Sequence, residues 1–151
     1  MDGSIWKVRN QGYAITKEKI NSSHNYCRLL CVDVFKSTKR INHIANHPES
    51  ALQEIAKTNP QEVILIINLQ ITGYHSIVCY FSIPSNSETK SNSTSMQLLS
   101  RFMEETNTWR DSRFKLLPHI QEGNFIVKKA VGTTPCIIGT KGESSYYSVR
   151  N

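Results

Sequence analysis

Residues 62–83, EVILIINLQITGYHSIVCYFSI, decide the fold. Two runs dense in β-branched and aromatic side chains, Glu62 to Ile71 and Tyr74 to Ile83, are separated only by Thr72-Gly73. Such runs joined by a two-residue turn containing glycine predict a tight antiparallel hairpin. Upstream, residues 26–36 (YCRLLCVDVFK) are apolar almost throughout, the pattern of a strand buried on both faces. Between these strands, His47-Pro48 stops the chain, and Glu49 to Lys57 carries Leu52, Ile55 and Ala56 at helical spacing. Asn59-Pro60 closes that helix.

Working outward, residues 5–9 alternate apolar and polar as a half-buried strand does. Gly12 and residues 21–23 mark turns around a short segment with Tyr13, Ile15 and Ile20. Residues 84–95 (PSNSETKSNSTS) are polar and predict a mobile surface loop. Thr94 or Ser95 can cap a helix to about Thr106, with Met96, Leu99, Phe102 and Met103 as its core-facing stripe. Phe125 to Val131, Cys136 to Ile138 and Tyr146 to Val149 read as three more strands, punctuated by Gly123, Gly132, Gly139 and Gly142. The order is strand-rich, with two or more helices and no regular βαβ alternation. It predicts one α+β domain over residues 1–151, mainly an antiparallel sheet.

The 151 residues carry 18 Lys+Arg against 12 Asp+Glu, a net charge of +6. That excess favours anionic partners without choosing among acidic lipid, nucleic acid and acidic protein. Lys36, Lys39 and Arg40 form one small basic group, Arg110, Arg113 and Lys115 a second, and Lys128 with Lys129 a third. None is a dense basic tract. The N-terminus MDGSIWKVRN lacks signal-peptide architecture, and the longest apolar stretch, residues 63–67, is far below the ~20 residues of a membrane-spanning helix. Cys27, Cys31, Cys79 and Cys136 sit in apolar runs, as reduced, buried thiols of a cytoplasmic protein would.

The candidate chemistries fail on spacing. On a strand, Cys27 and Cys31 lie ~13 Å apart at ~3.3 Å per residue, too far to share one ion with His24 nearby. His43 and His47 lack the intervening Glu and third ligand of a zinc motif, so surface or capping roles are expected. Cys136 has no protease signature around it, and Glu104-Glu105 lies at a helix end and reads as solvated. Asp33 interrupts an apolar strand, and a buried carboxylate needs a partner, for which an Arg such as Arg113 is a candidate. The glycines match neither a dinucleotide nor a Walker loop. Lys7, Arg9, Lys128 and Arg150 lie near Trp6, Phe125, Tyr146 and Tyr147, but no ribonucleoprotein motif accompanies them, so nucleic acid is not expected. No catalytic residue, metal or cofactor is predicted.

Eight phrases stand together in order. They are Trp6-Lys7-Val8-Arg9 with Gly12-Tyr13; Val32-Asp33-Val34-Phe35; His43-Ile44-Ala45 with His47-Pro48-Glu49-Ser50; Asn68-Leu69-Gln70-Ile71; Tyr80-Phe81; Arg113 to Pro118; Gly123 to Lys129; and Val131-Gly132 with Pro135 to Gly139. In this order and spacing the chain resembles the C-terminal domain of the Enhanced Disease Resistance 2 family over almost its whole length. It departs at Asn10, where a glycine commonly follows Val-Arg, and at Thr72, which replaces a proline. It also stops at Asn151, where the family continues into an acidic strand and a long apolar helix, so the resemblance implies a truncated or divergent chain.

The resemblance implies a domain for which a START-like (helix-grip) fold is one expectation, following pleckstrin-homology and lipid-transfer (START) domains in membrane-associated regulators, and lipid binding is the usual inference for it. Strands 26–36, 62–71 and 74–83 could then wall a pocket. Trp6, Phe114 and Phe125 are candidates for its apolar mouth, and Arg9, Arg113, Lys115, Lys128 and Lys129 for contacts with an anionic head group. Asp33, His47, Pro48, Pro118, Gly132 and Gly139 are given structural roles. The partner expected is lipid or an anionic membrane surface, with peripheral attachment from the cytoplasm. The alternative is a protein-interaction or regulatory module without a ligand pocket, docking a partner on the Arg110 to Lys115 segment and the 84–95 loop.

Overall fold

The fold was taken from a computed structural model, which describes residues 6–23, 25–58, 60–84, 94–117, 120, 122–131 and 136–148. The chain gathers into two compact units, Met1–Ser91 and Asn92–Asn151. The expected hairpin is the centre of the first. Strand β4 (Val63–Ile71) and strand β5 (His75–Ile83) pair antiparallel from Ile71↔His75 to Val63↔Ile83. Their connection is a 3-10 turn at Thr72–Tyr74, in which Gly73 takes φ 72 and Tyr74 φ 56. Two successive left-handed residues are what lets the chain reverse so tightly, and glycine meets that demand without a Cβ penalty.

Strand β3 (Arg28–Lys36) pairs antiparallel with the other edge of β5, giving the order β3-β5-β4. The register shifts between Leu29 and Cys31, the mark of a bulge. Helix α2 (Leu52–Thr58) and a 3-10 turn at Ile44–Asn46 lie in the long connection from β3 to β4. On β5 the even positions Ser76, Val78, Tyr80 and Ser82 are buried, while odd positions 75–81 are only half-buried. The core joins Ile44, Val78 and Tyr80 with Phe35, Ile41, Leu52, Ile55, Ile64 and Ile66. Strand β3 is therefore not buried on both faces. Cys31, Asp33 and Phe35 are half-buried on the core side, whereas Val32 and Val34 alternate outward and are 47% and 71% exposed. A continuous apolar run is compatible with one covered face, because β-branched residues also suit a half-solvated strand. A small ribbon completes this unit: β1 (Lys7–Arg9) pairs with β2 (Lys19–Asn21) around helix α1 (Tyr13–Thr16).

The second unit holds α3 (Thr94–Glu104), α4 (Asn107–Asp111), β6 (Lys115–Leu116), α5 (Phe125–Val131), β7 (Cys136–Ile137) and α6 (Ile138–Lys141). Helix α3 ends before Thr106 because that residue caps α4, its Oγ1 accepting from Trp109 N at 3.3 Å. Strand β7 finds a partner in β6. The strand predicted over Phe125 to Val131 is instead the helix α5. The reason is pairing: a helix satisfies its own amides, as Lys128 N does on Asn124 O at 3.1 Å, whereas a lone strand cannot. The strand predicted from Tyr146 is also corrected, since residues 146–148 are irregular and Tyr146 is spent on side-chain contacts. Residues 85–93 of the predicted loop lie outside the described residues, as do His24, Pro118, Gly132 and Arg150.

The α+β class with antiparallel pairing holds throughout the described residues. Among them no helix is long and apolar enough to cross a membrane.

Candidate functional site

The buried polar centre of the first unit explains Asp33. Its Oδ2 accepts from Ala51 N at 3.1 Å, and Ser50 Oγ accepts from Leu52 N at 3.3 Å. Both amides stand at the start of α2, where donors lack helical partners and a carboxylate is favoured. Ser50 Oγ is also 2.9 Å from Tyr80 Oη, which no solvent reaches. Burial, reinforced by Asp33, pushes the Tyr80 hydroxyl up to about 12. The partner of Asp33 is thus a helix terminus. His47-Pro48 leads into the same corner: Ser50 N donates to His47 O at 3.0 Å, a turn for which Pro48 presets the backbone. The His47 ring stands edge-on to Phe35 with centroids 5.2 Å apart, and its Nδ1 accepts from Glu49 N at 3.3 Å.

Of the lipid candidates in this unit, Trp6 is half-buried and Arg9 is exposed on β1, with its guanidinium 4.8 Å from the centre of the Tyr13 ring. The remaining candidates belong to the second unit. Phe114 is no free rim residue, because its ring packs 5.9 Å from Phe102 within a cluster that includes Trp109 and Tyr146. Arg113 lies 5.1 Å from the centre of the Trp109 ring, and Lys115 is exposed on β6. Phe125, Lys128 and Lys129 come together on α5, all exposed. Phe125 is 77% and its neighbour Ile126 75% exposed, and Lys129 Nζ sits 6.0 Å from the Phe125 ring.

Gly139 marks a close approach, since a Cβ there would stand 2.4 Å from Asp111 Cα. Asp111 Oδ1 accepts from Tyr146 Oη at 2.9 Å, and burial followed by that carboxylate pushes the Tyr146 hydroxyl up. Arg110 serves structure: Nε donates to Phe102 O at 2.7 Å and Nη2 to Met103 O, capping the carbonyl end of α3. Its place in a basic group concealed that role in the sequence.

Two features were missed. One is Ile126, hidden in what read as a strand. The other is a cleft of about 290 Å³ whose lining includes Lys36, Lys39, Arg40 and His47. The basic group was visible, but its convergence with His47 depends on the turn after β3. The four cysteines are free and half-buried, and burial pushes the thiols of Cys27, Cys31 and Cys79 up, which keeps them protonated and poorly nucleophilic. Among the described residues no three His, Cys, Asp or Glu side chains gather as metal ligands.

Fold and side chains together define an α+β domain whose most prominent exposed groups are cations and apolar residues. The chain belongs to the family described as Protein ENHANCED DISEASE RESISTANCE 2, C-terminal, which matches residues 1–151. A curated relative from Arabidopsis thaliana, Protein ENHANCED DISEASE RESISTANCE 2-like, is 31% identical over 151 residues. The alignment covers 96% of this chain and 19% of the relative, so the chain spans about a fifth of that protein's length. No solved structure matches.

Proposed function

We propose that this chain is a non-catalytic lipid-binding module that associates peripherally with anionic membrane surfaces. The observation that carries the reading is α5, where Phe125 and Ile126 stand exposed beside Lys128 and Lys129. Burying two such apolar side chains in the acyl boundary and placing two lysines at an anionic surface is worth about 5–8 kcal/mol before ordering costs. That suits reversible, charge-dependent attachment and not permanent anchoring. Arg113 and Lys115, exposed in the same unit, and Arg9 in the other add positive charge. Raised thiol pKa values in the first unit and a carboxylate already committed to α2 support the non-catalytic part.

Vesicle co-sedimentation tests the reading. The chain should pellet with vesicles containing phosphatidylserine and stay in solution with neutral ones. Phe125→Ala/Ile126→Ala and Lys128→Glu/Lys129→Glu should each weaken pelleting. Equal recovery on neutral and acidic vesicles, or indifference to both variants, would sink it.

One observation favours a second reading, a protein-interaction module. The outer face of the β3-β5-β4 sheet leaves Val32 and Val34 open to solvent beside half-buried Ile67, Leu69 and Ile77. Under that reading Val34→Lys abolishes capture of a protein partner, and vesicle binding is absent from the start.

A further inference from the structure

We propose that the cleft at the end of β3 is a binding site for a phosphate group. It stands on its own geometry and not on the α5 contact. Lys36, Lys39 and Arg40 line it against a single carboxylate, Glu49, so its fixed charge is positive. Three cationic side chains suit the double charge of a phosphomonoester better than the single charge of a carboxylate.

Hydrogen bonds hold the loop that forms the cleft at both ends. Ser37 N donates to Tyr74 O at 3.1 Å, which holds the start of the loop to the β4–β5 turn. The carbonyl of Ile41 accepts two side-chain amides from β4, Asn68 Nδ2 at 3.2 Å and Gln70 Nε2 at 2.6 Å. A loop pinned at both ends loses little freedom when it binds, so more of the charge attraction appears as affinity. His47 adds a donor. Because its Nδ1 accepts from Glu49 N, the neutral ring carries its proton on Nε2.

Size sets the ligand class. At about 290 Å³ the cleft lies at the small end of ligand sites. It suits a phosphorylated head group or a small phosphomonoester and not an acyl chain. Lipid and soluble sources share the same phosphate chemistry, and the test separates them.

The 15N-labelled 151-residue chain is titrated with inorganic phosphate, with chloride at matched ionic strength as control. Amide signals of residues 36–42, 47 and 49 should shift with phosphate alone. Lys39→Gln/Arg40→Gln, in which both replaced side chains are exposed, should bind roughly tenfold or more weakly, as expected for losing charge-assisted hydrogen bonds. A conserved spectrum confirms that the variant is folded, and Lys39→Arg/Arg40→Lys should restore binding. A second arm compares phosphatidic acid with phosphatidylserine vesicles at matched surface charge. A preference for phosphatidic acid that the glutamine variant loses identifies a lipid head group. Phosphate shifts without that preference identify a soluble phosphomonoester. Shifts that chloride reproduces, or phosphate binding unchanged in the glutamine variant, overturn the site. Phe125→Ala/Ile126→Ala should leave the phosphate shifts intact, so failure of the membrane reading is seen separately.

Discussion

On one face of the β3-β5-β4 sheet, Val78 and Tyr80 lose all contact with solvent, while on the other Val34, next to Asp33 in the chain, is 71% exposed. Both faces are built from similar apolar side chains. What separates them is the polar set Asp33, Ser50 and Tyr80, which fastens the start of α2 over the inner face. Apolar side chains of the β3–β4 connection, Ile41, Ile44, Leu52 and Ile55, cover the inner face, and three hydrogen-bonding side chains fasten that cover to the sheet. The outer face keeps its apolar character without that attachment.

The contrast can be broken most severely at its centre. Tyr80→Ala removes a fully buried ring and leaves Ser50 short of a partner, and should cost about 3–5 kcal/mol in urea denaturation. Alkali should attack the same point more gently. Burial holds the Tyr80 hydroxyl at about 12, so the folded chain keeps a proton that the unfolded chain loses near its ordinary value of about 10. Stability from this group is full below about pH 10 and should fall by roughly 2–3 kcal/mol as pH rises to about 12. Tyr80→Phe should flatten that part of the urea-midpoint profile.

Asp33→Asn keeps the shape but removes the charge facing the helix start, for a loss of about 1 kcal/mol. Smallest of all, Val34→Lys should change stability by less than about 0.5 kcal/mol. A cost above about 1.5 kcal/mol would mean that the outer face is covered and the contrast mistaken.

The hairpin was legible because two signals agree there, β-branched runs and a turn glycine, and the pairing they imply lies within 22 residues of chain. Segment 125–131 was misread because its side chains favour a strand while its backbone forms a helix that satisfies its own amides. For the same reason Phe125, Lys128 and Lys129 could be picked as candidates but not placed on one helix beside Ile126. The basic cleft was illegible for a different cause. Lys36, Lys39 and Arg40 are adjacent in sequence, but His47 joins them only through a loop held by Asn68 and Gln70, about thirty residues downstream. Phe114 and Arg110 show the converse error: an aromatic side chain expected at an apolar mouth packs the second unit, and a basic one expected in a protein-docking segment caps α3.

Attachment to an anionic surface through α5 is measured most directly by pelleting the chain, and its Phe125→Ala/Ile126→Ala variant, with vesicles of increasing phosphatidylserine content. Recovery should rise with acidic lipid, fall with added salt and drop sharply in the variant. Recovery that ignores acidic lipid, or is the same for both proteins, would contradict it.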